Sequence, residues 1–143
     1  MIRLRFDENC EPKYMTRASA GCDVVAREAV LVPAGGVARV PTGVWIESVD
    51  WDNCPKGQIP ELQLRARSGL AFKFGITLAN GVGTIDADFP DEIGVLLLNT
   101  AKTDFEVKQG MRIGQLVLNT VYQIPSLPVG GERTGGFGST KLN

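Results

Sequence analysis

The chain alternates apolar and polar residues in short runs, and glycine and proline separate one run from the next. Residues 2–6 (IRLRF) put apolar side chains on one face and two arginines on the other, a period of two that is typical of a β-strand. The further strand-like runs are residues 29–32, 37–46, 61–67, 93–99 and 113–124, with turns at 33–36, 41–43 and 108–110. Only residues 68–74 (SGLAFKF) predict a helix. Short strands with little helix predict an all-β sandwich, barrel or jelly roll.

The size and charge of the chain exclude several classes of protein. Its 143 residues fit a single core, and 43% apolar with 22% charged residues is ordinary globular composition. A net charge of −1 gives no overall attraction to nucleic acid or to an acidic membrane. The longest uncharged apolar run, residues 93–101, has about half the length that a bilayer requires. We expect a soluble, cytoplasmic protein that binds neither nucleic acid nor membrane.

The chain has no histidine, and its three cysteines (Cys10, Cys22 and Cys54) lack a CxxC spacing. These facts exclude most zinc sites, Ser-His and Cys-His nucleophile pairs, and acid–base chemistry by histidine. Any catalysis must therefore use carboxylates, arginines, backbone groups or a hard metal ion.

Two stretches combine charged residues, serine and glycine where a strand meets a turn. In residues 19–26 (SAGCDVVA), Asp23 could hold a metal ion or its water, or could simply satisfy a turn. In residues 64–72 (LRARSGLAF), two arginines and a Ser-Gly pair open the predicted helix. This second stretch fits an anion site, and equally fits a strand end with an N-capping serine.

Two more stretches set polar residues into apolar surroundings. Residues 78–89 (LANGVGTIDADF) predict an NG-containing hairpin, after which Asp86 and Asp88 share one face. The two carboxylates could orient a water, or could form a solvated face. In residues 108–118, Gln115 lies within an apolar strand and needs a partner, which a subunit contact or a ligand could supply.

The C-terminal residues lack the strand pattern. Pro125 and Pro128 favour an extended path, and the 14 residue-to-residue steps from Gln123 to Phe137 could reach about 45 Å. Five of residues 130–138 are glycine, and Phe137 among them could stack on a flat base or belong to a frayed linker. We predict a β domain over residues 1–124 and a flexible arm over 125–143. Taken together, the five stretches suggest a site for a planar base bearing several phosphates.

The order of these stretches resembles that of the trimeric all-β dUTPases. The matching motifs are AGCDVVA, RARSGLAFKFGI, NGVGTIDADF, GMRIGQLV and GGFGST, between residues 20 and 140. The resemblance implies a distorted jelly roll (a dUTPase-like β-clip) with one short helix, in a homotrimer with shared active sites and a swapped C-terminal arm. It also implies Mg²⁺-assisted hydrolysis of dUTP to dUMP and pyrophosphate by water attack on the α-phosphorus. That reaction limits uracil incorporation into DNA and supplies dUMP for dTTP synthesis.

The resemblance also assigns roles to individual residues. Asp86 would orient and deprotonate the attacking water, Asp23 would hold the waters of a triphosphate-chelated Mg²⁺ ion, and Phe89 would pack under the deoxyribose. The other substrate contacts would come from Arg67, Ser68, Gly69 and Gln115 for the phosphates, from Asn80 and the 81–84 backbone with Gly83 and Thr84 for the uracil edge, and from Arg133, Phe137, Gly138, Ser139 and Thr140 in a lid.

Four positions depart from the family pattern. Ala66 replaces a common proline, Phe89 a common tyrosine and Met111 a common aspartate, and Arg133 lies one residue closer to Phe137 than is usual. The loop predicted over residues 50–60 has no assigned function.

Two alternatives to dUTP hydrolysis remain open. A dCTP deaminase of the same fold is expected to carry a glutamate three residues before Asn99, where this chain has Leu96. A nucleotide-sensing protein without turnover is the other alternative, against which the intact Asp86 and Phe137 argue.

Overall fold

The computed structural model describes residues 1–133 and 135–137. Within this part of the chain there are eleven strands and one helix, whose bounds follow in chain order. They are β1 (Ile2–Phe6), β2 (Cys22–Val25), β3 (Val30–Val32), β4 (Val37–Pro41), β5 (Val44–Val49), β6 (Ile59–Arg65), α1 (Ser68–Phe74), β7 (Ile76–Leu78), β8 (Gly83–Asp86), β9 (Gly94–Asn99), β10 (Phe105–Val107) and β11 (Arg112–Val121). No helix in the described residues has the length and apolar character needed to cross a membrane.

The strands form two larger sheets and two strand pairs. One sheet has the order β2-β11-β6-β8 and the other the order β4-β9-β7, while β1 pairs with β5 and β10 pairs with β3. All of these described pairings are antiparallel. In β6, alternate residues are buried between the layers, as the period-two pattern of residues 61–67 predicts.

The core consists of the inward-facing side chains of these sheets. Val24, Leu64, Val95 and Ile113 are among its almost fully buried members. One buried polar residue, Asn99, donates from its side chain to the carbonyls of Val32 and Thr103. Such pairing offsets the cost of burying an amide, so this end of β9 is fixed against the end of β3 and the loop before β10.

The helix α1 occupies the seven residues that the sequence predicts. It ends at Gly75, which takes the left-handed conformation (φ 66°) that glycine adopts without strain. Its N-cap residue is Arg67, which makes no capping side-chain hydrogen bond. The interpretation of Ser68 as an N-cap is therefore wrong, and the serine hydroxyl is left at the exposed first position of the helix.

The predicted NG hairpin is also wrong. The strands on either side of Asn80-Gly81 do not pair with each other, because β7 pairs with β9 and β8 pairs with β6. Residues 79–82 therefore form a turn between the two larger sheets. The alternation of residues 76–78 and 83–86 is too short to indicate which sheet each strand joins.

Candidate active site

A cavity of about 400 Å³ opens beside the turn that joins β7 to β8. It is large enough for a small organic ligand. Its walls come from the turn, from β8 and β9, and from the C-terminal arm, with these lining residues: Arg39, Leu64, Asn80, Gly83, Thr84, Ile85, Phe89, Ile93, Gly94, Leu96, Arg133 and Phe137. Six of them are site residues that the sequence predicts. We call this cavity, with Asp86 at its edge, the Asp86 pocket.

The backbone of β8 forms one wall of the pocket. Gly83 pairs with Leu64 and Thr84 with Gln63, which fixes β8, the edge strand of its sheet, to β6. A Cβ on Gly83 would lie 3.1 Å from Leu64 Cβ, so a side chain there would require Leu64 to shift by a few tenths of an ångström. The backbone groups of this wall are consequently held in a constant position, which a site that reads one edge of a base requires.

Asp86 ends β8, and Asp88 follows two residues later. Both side chains are more than half exposed, at 55% and 61%, and they lie on the same side of the chain, as the alternation predicts. The guanidinium of Arg133 contacts both of them, donating from Nη1 to Asp86 Oδ2 and lying 3.6 Å from Asp88 Oδ1. Its hydrogen bond to Asp86 raises the pKa of Arg133. The arm thus brings its arginine onto the candidate catalytic carboxylate.

Two aromatic rings complete this side of the pocket. Phe89 is 8% exposed, and its ring meets that of Phe137 edge to face, with 5.6 Å between centroids. A Cβ on Gly136 would lie 2.2 Å from Phe89 Cε2, so the arm can reach Phe89 only with glycine at that position. Phe137 itself has a φ of 45°, a left-handed conformation that costs an ordinary residue about 1–2 kcal/mol.

A second group of predicted residues lies on β2, β11 and the start of α1. Asp23 is 12% exposed; it accepts a hydrogen bond from Arg112 Nη1 at 2.9 Å and lies 3.6 Å from Arg67 Nε. Gln115 donates from Nε2 to the carbonyl of Ala66 at 3.1 Å. These four side chains (Asp23, Arg67, Arg112 and Gln115) are called the Asp23 cluster below. Its contacts explain how a strand tolerates an aspartate and a glutamine facing partly inward.

Ser68 and Gly69 follow the Asp23 cluster and are exposed at the beginning of α1. A Cβ on Gly69 would meet no described atom of the chain within 4 Å. Packing within the described chain therefore does not require glycine at this position. A close approach from outside would be one reason for it.

The register of the sheet separates the two regions. Asp23 pairs with Gln115, Gln115 with Arg65, and Asp86 with Glu61. Asp23 and Asp86 are therefore three strand spacings apart across the sheet and four residues apart along it, a separation of roughly 20 Å. Within one chain, the carboxylates of Asp23 and Asp86 therefore do not meet.

The sequence and the fold both match proteins of known class. The dUTPase family model matches residues 8–140 of the chain. This chain belongs to the dUTPase family. The deoxyuridine 5'-triphosphate nucleotidohydrolases of Rickettsia typhi and Rickettsia canadensis are 42% and 40% identical to it over 138 and 136 residues, covering 92% and 90% of this chain and 88% and 86% of their own lengths.

Solved dUTPase structures have the same fold. The dUTPase of Streptococcus mutans superposes with a TM-score of 0.68 at 29% identity, over 90% of this chain and 98% of the other. A mutant dUTPase of Staphylococcus aureus phage phi11, in which the coordination of a structural Mg(II) ion is described, gives a TM-score of 0.71 at 19% identity, over 94% and 99% of the two chains. The mostly-β architecture with one short helix is thus that of the dUTPases, and the predicted fold class is confirmed.

The acidic residues that the structure describes form no cage for a metal ion. Within residues 1–133 and 135–137, no three Cys, Asp or Glu side chains cluster to enclose a metal ion. Mg²⁺ rarely needs such a cage, because it keeps several waters and binds through one or two carboxylates together with substrate phosphates. Asp23, flanked by two arginines that suit phosphate oxygens, has the chemistry for that role.

Cysteine chemistry is disfavoured at the Asp23 cluster. Cys22 precedes Asp23 and is buried, and burial raises the pKa of its thiol. A thiol with a raised pKa stays protonated at neutral pH and is a poor nucleophile. Cys22 therefore adds no nucleophile to the carboxylate and the two arginines of this cluster.

Two arginines have no role predicted from the sequence, one in the Asp86 pocket and one in the Asp23 cluster. Arg39 lines the pocket, with its Cζ atom 4.4 Å from the ring centroid of Phe137. Arg39 is in an ordinary alternating strand pattern, so the sequence gives no indication that it lines a pocket. Arg112, within the motif GMRIGQLV, has no role assigned from the sequence, although it makes the shortest described contact with Asp23. The predicted lid residues Gly138, Ser139 and Thr140 lie outside the described residues.

Proposed function

We propose that this chain hydrolyses dUTP to dUMP and pyrophosphate, with Mg²⁺ as its cofactor. The observation that carries the proposal is the Asp86 pocket, where an exposed carboxylate stands beside two aromatic rings at a cavity of about 400 Å³. Membership of the dUTPase family supports the choice of substrate, since the relatives are named deoxyuridine 5'-triphosphate nucleotidohydrolases.

In this proposal Asp86 is the general base. Its carboxylate accepts a proton from a water, whose oxygen attacks the α-phosphorus in line with the bond to the β-phosphate. That bond breaks, and pyrophosphate leaves with the electron pair. In the chain without nucleotide the carboxylate is paired with Arg133. We infer that the triphosphate oxygens attract Arg133 away, which frees Asp86 for the water and neutralises negative charge.

The pocket wall gives a reason for selecting uracil. Asn80 and the backbone of residues 81–84, including Gly83 and Thr84, would meet the two acceptors and one N–H on the base edge. Cytosine reverses part of that pattern and would leave buried groups without partners, a strong means of discrimination. The methyl group of thymine would clash with this wall. The wall is closely packed, since a Cβ on Gly83 would lie 3.1 Å from Leu64 Cβ. Phe89 would pack under the deoxyribose, and Phe137 would stack on the base.

The Asp23 cluster supplies a second half-site for the phosphates. Arg67, Ser68, Gly69 and Gln115 would bind phosphate oxygens, and Asp23 would hold waters of the metal ion. When bound to the triphosphate, Mg²⁺ supplies Lewis-acid stabilisation of the departing pyrophosphate. To bind the phosphates and the metal-bound waters, the cluster would also have to release some of the contacts that Asp23 makes with Arg67 and Arg112.

We further propose that the active site is shared between subunits of a homotrimer. A separation of roughly 20 Å within one chain argues that the Asp23 cluster of one subunit serves the Asp86 pocket of another. In the single chain, Arg133 and Phe137 contact the chain's own pocket. In this proposal residues 1–124 are the β domain and residues 125–143 are the arm. The arm would make the same contacts on a neighbouring subunit, and its residues Gly138, Ser139 and Thr140 would close over the nucleotide bound there. We expect the trimer to work in the cytoplasm.

One observation disfavours deamination. Leu96, which stands where a deaminase would need a glutamate, lines the pocket and cannot transfer a proton. The test is to incubate the purified chain and Mg²⁺ with dUTP, dCTP, dTTP or UTP and to measure pyrophosphate and ammonia. Pyrophosphate from dUTP alone supports the proposal. Ammonia from dCTP would indicate a deaminase, and binding of dUTP without any product would indicate a sensor.

A further inference from the structure

Arg39 lies in β4, outside the five motifs, yet its side chain enters the Asp86 pocket. Its Cζ atom lies 4.4 Å from the ring centroid of Phe137. A planar guanidinium over an aromatic face is attracted both by the ring quadrupole and by stacking. One face of the Phe137 ring is therefore covered by a residue of the β domain.

A hydrogen bond to the backbone fixes the position of the Arg39 side chain. Its Nη2 atom donates to the carbonyl of Glu92 at 3.1 Å. Glu92 is held in turn, because its carboxylate accepts from the backbone N–H of Gly43 at 2.7 Å and lies 3.3 Å from Arg27 Nη2. An arginine tied to a fixed carbonyl loses less freedom on stacking than a free one would.

The neighbouring Gly94 leaves space for this arrangement. A Cβ at that position would lie 2.5 Å from Arg39 Nε and 3.0 Å from Phe137 Cζ. The guanidinium and the ring thus meet directly over the β9 backbone. Their contact also helps to hold Phe137 in its left-handed conformation, with φ at 45°.

We propose that Arg39 is a positioning residue that holds Phe137 over the bound base. The Arg39 guanidinium would contact one face of the Phe137 ring, and uracil would stack on the opposite face. The proposal rests on the proposed function, in which Phe137 closes over dUTP. Arg39 then makes no contact with the nucleotide, and its contribution passes entirely through Phe137.

A double-mutant cycle tests this route. Compared with the unchanged chain, Arg39→Ala should lower kcat/KM for dUTP about three- to fivefold, the size expected for a partly exposed cation–π contact. In a Phe137→Ala background the same change should have almost no effect. Arg39→Lys should recover little, because an ammonium keeps the charge but cannot stack. Arg3→Ala removes an exposed arginine outside the pocket and should leave kcat/KM unchanged.

Two results would overturn the proposal. An equal loss in both backgrounds, with recovery in Arg39→Lys, would mean that Arg39 acts by charge on the phosphates. No loss of kcat/KM in either background would mean that Arg39 is not needed to hold Phe137 in position.

A second measurement does not depend on turnover. In a chain with Trp45→Phe, Trp51→Phe and Phe137→Trp, the remaining indole should be quenched more readily by acrylamide after Arg39→Ala, with no nucleotide present. An unchanged quenching constant would contradict the proposed contact between Arg39 and the ring at position 137, even if the enzyme is active. A missing pyrophosphate signal from the unchanged chain would contradict the proposed function and leave this measurement decisive for Arg39.

Discussion

The two halves of the candidate site are built in different ways. In the Asp23 cluster, Asp23 and Gln115 are on paired strands, and Arg67 is the N-cap residue of α1 in the short link from β6. In the Asp86 pocket, the backbone wall is equally fixed, but Arg133 and Phe137 come from an arm beyond the last strand, which ends at Val121. The folded core thus orders the first half, whereas the second half depends on contacts that a ligand can replace. Loss of a residue should accordingly affect stability and activity together in the first half, and activity alone in the second.

The largest effect is expected at Asp86. The change Asp86→Asn should lower the rate of pyrophosphate release about 10²- to 10⁴-fold, because general base catalysis contributes that much. Since the side chain is 55% exposed, the melting temperature should barely move. Single-turnover kinetics and calorimetric dUTP binding would separate chemistry from affinity. Asp88→Asn is the matched control and should retain a rate near that of the unchanged chain; full activity in Asp86→Asn would remove the proposed base.

Deletion of residues 131–143 should have the next largest effect. Without the arm, the base and phosphates lose their cover, and misplacement of this kind costs about 100-fold in rate. The core strands all precede residue 122, so circular dichroism and the melting temperature should be preserved. A truncated chain with undiminished turnover would contradict the role of the arm, and loss of the fold would contradict the contrast between the two halves.

The change Asp23→Asn should give the smallest loss of rate and the only loss of stability. The Mg²⁺ concentration needed for half-maximal rate should rise about 10- to 100-fold, as for other residues that hold metal-bound water. Because Arg67 and Arg112 lose their partner but remain 25% and 43% exposed, we expect unfolding to become easier by only about 1 kcal/mol. Denaturant titration and a Mg²⁺ series measure both, with Glu47→Gln, which weakens a remote exposed ion pair, as the control. Unchanged values in both assays would show that Asp23 serves neither purpose.

The sequence predicted local structure well and connections poorly. The strand at residues 2–6 and the helix at 68–74 depend on neighbouring residues alone and are confirmed. The strand predicted at residues 61–67 is also present, but it begins at Ile59 and ends at Arg65. The sheet partners of β7 and β8 depend on contacts far along the chain, so the NG turn was misread as a hairpin.

The same limit applies to the site. Asp86 and Gln115 stood out in the sequence because polar residues in apolar strands need a reason. Arg39 did not, because an arginine on the exposed side of a strand is ordinary. Only the folded chain brings it to Phe137.

The central claim is that the two halves, roughly 20 Å apart in one chain, meet between chains. Coexpression of an Asp86→Asn chain with an Arg67→Ala chain, each carrying a different tag, yields mixed oligomers that can be purified through both tags. In each mixed trimer, one of the three shared sites, about one third, would combine an intact Asp86 with an intact Arg67 from a neighbour. The account predicts that pyrophosphate release returns to about that fraction of the unchanged rate. Mixed oligomers no more active than either variant alone would contradict it.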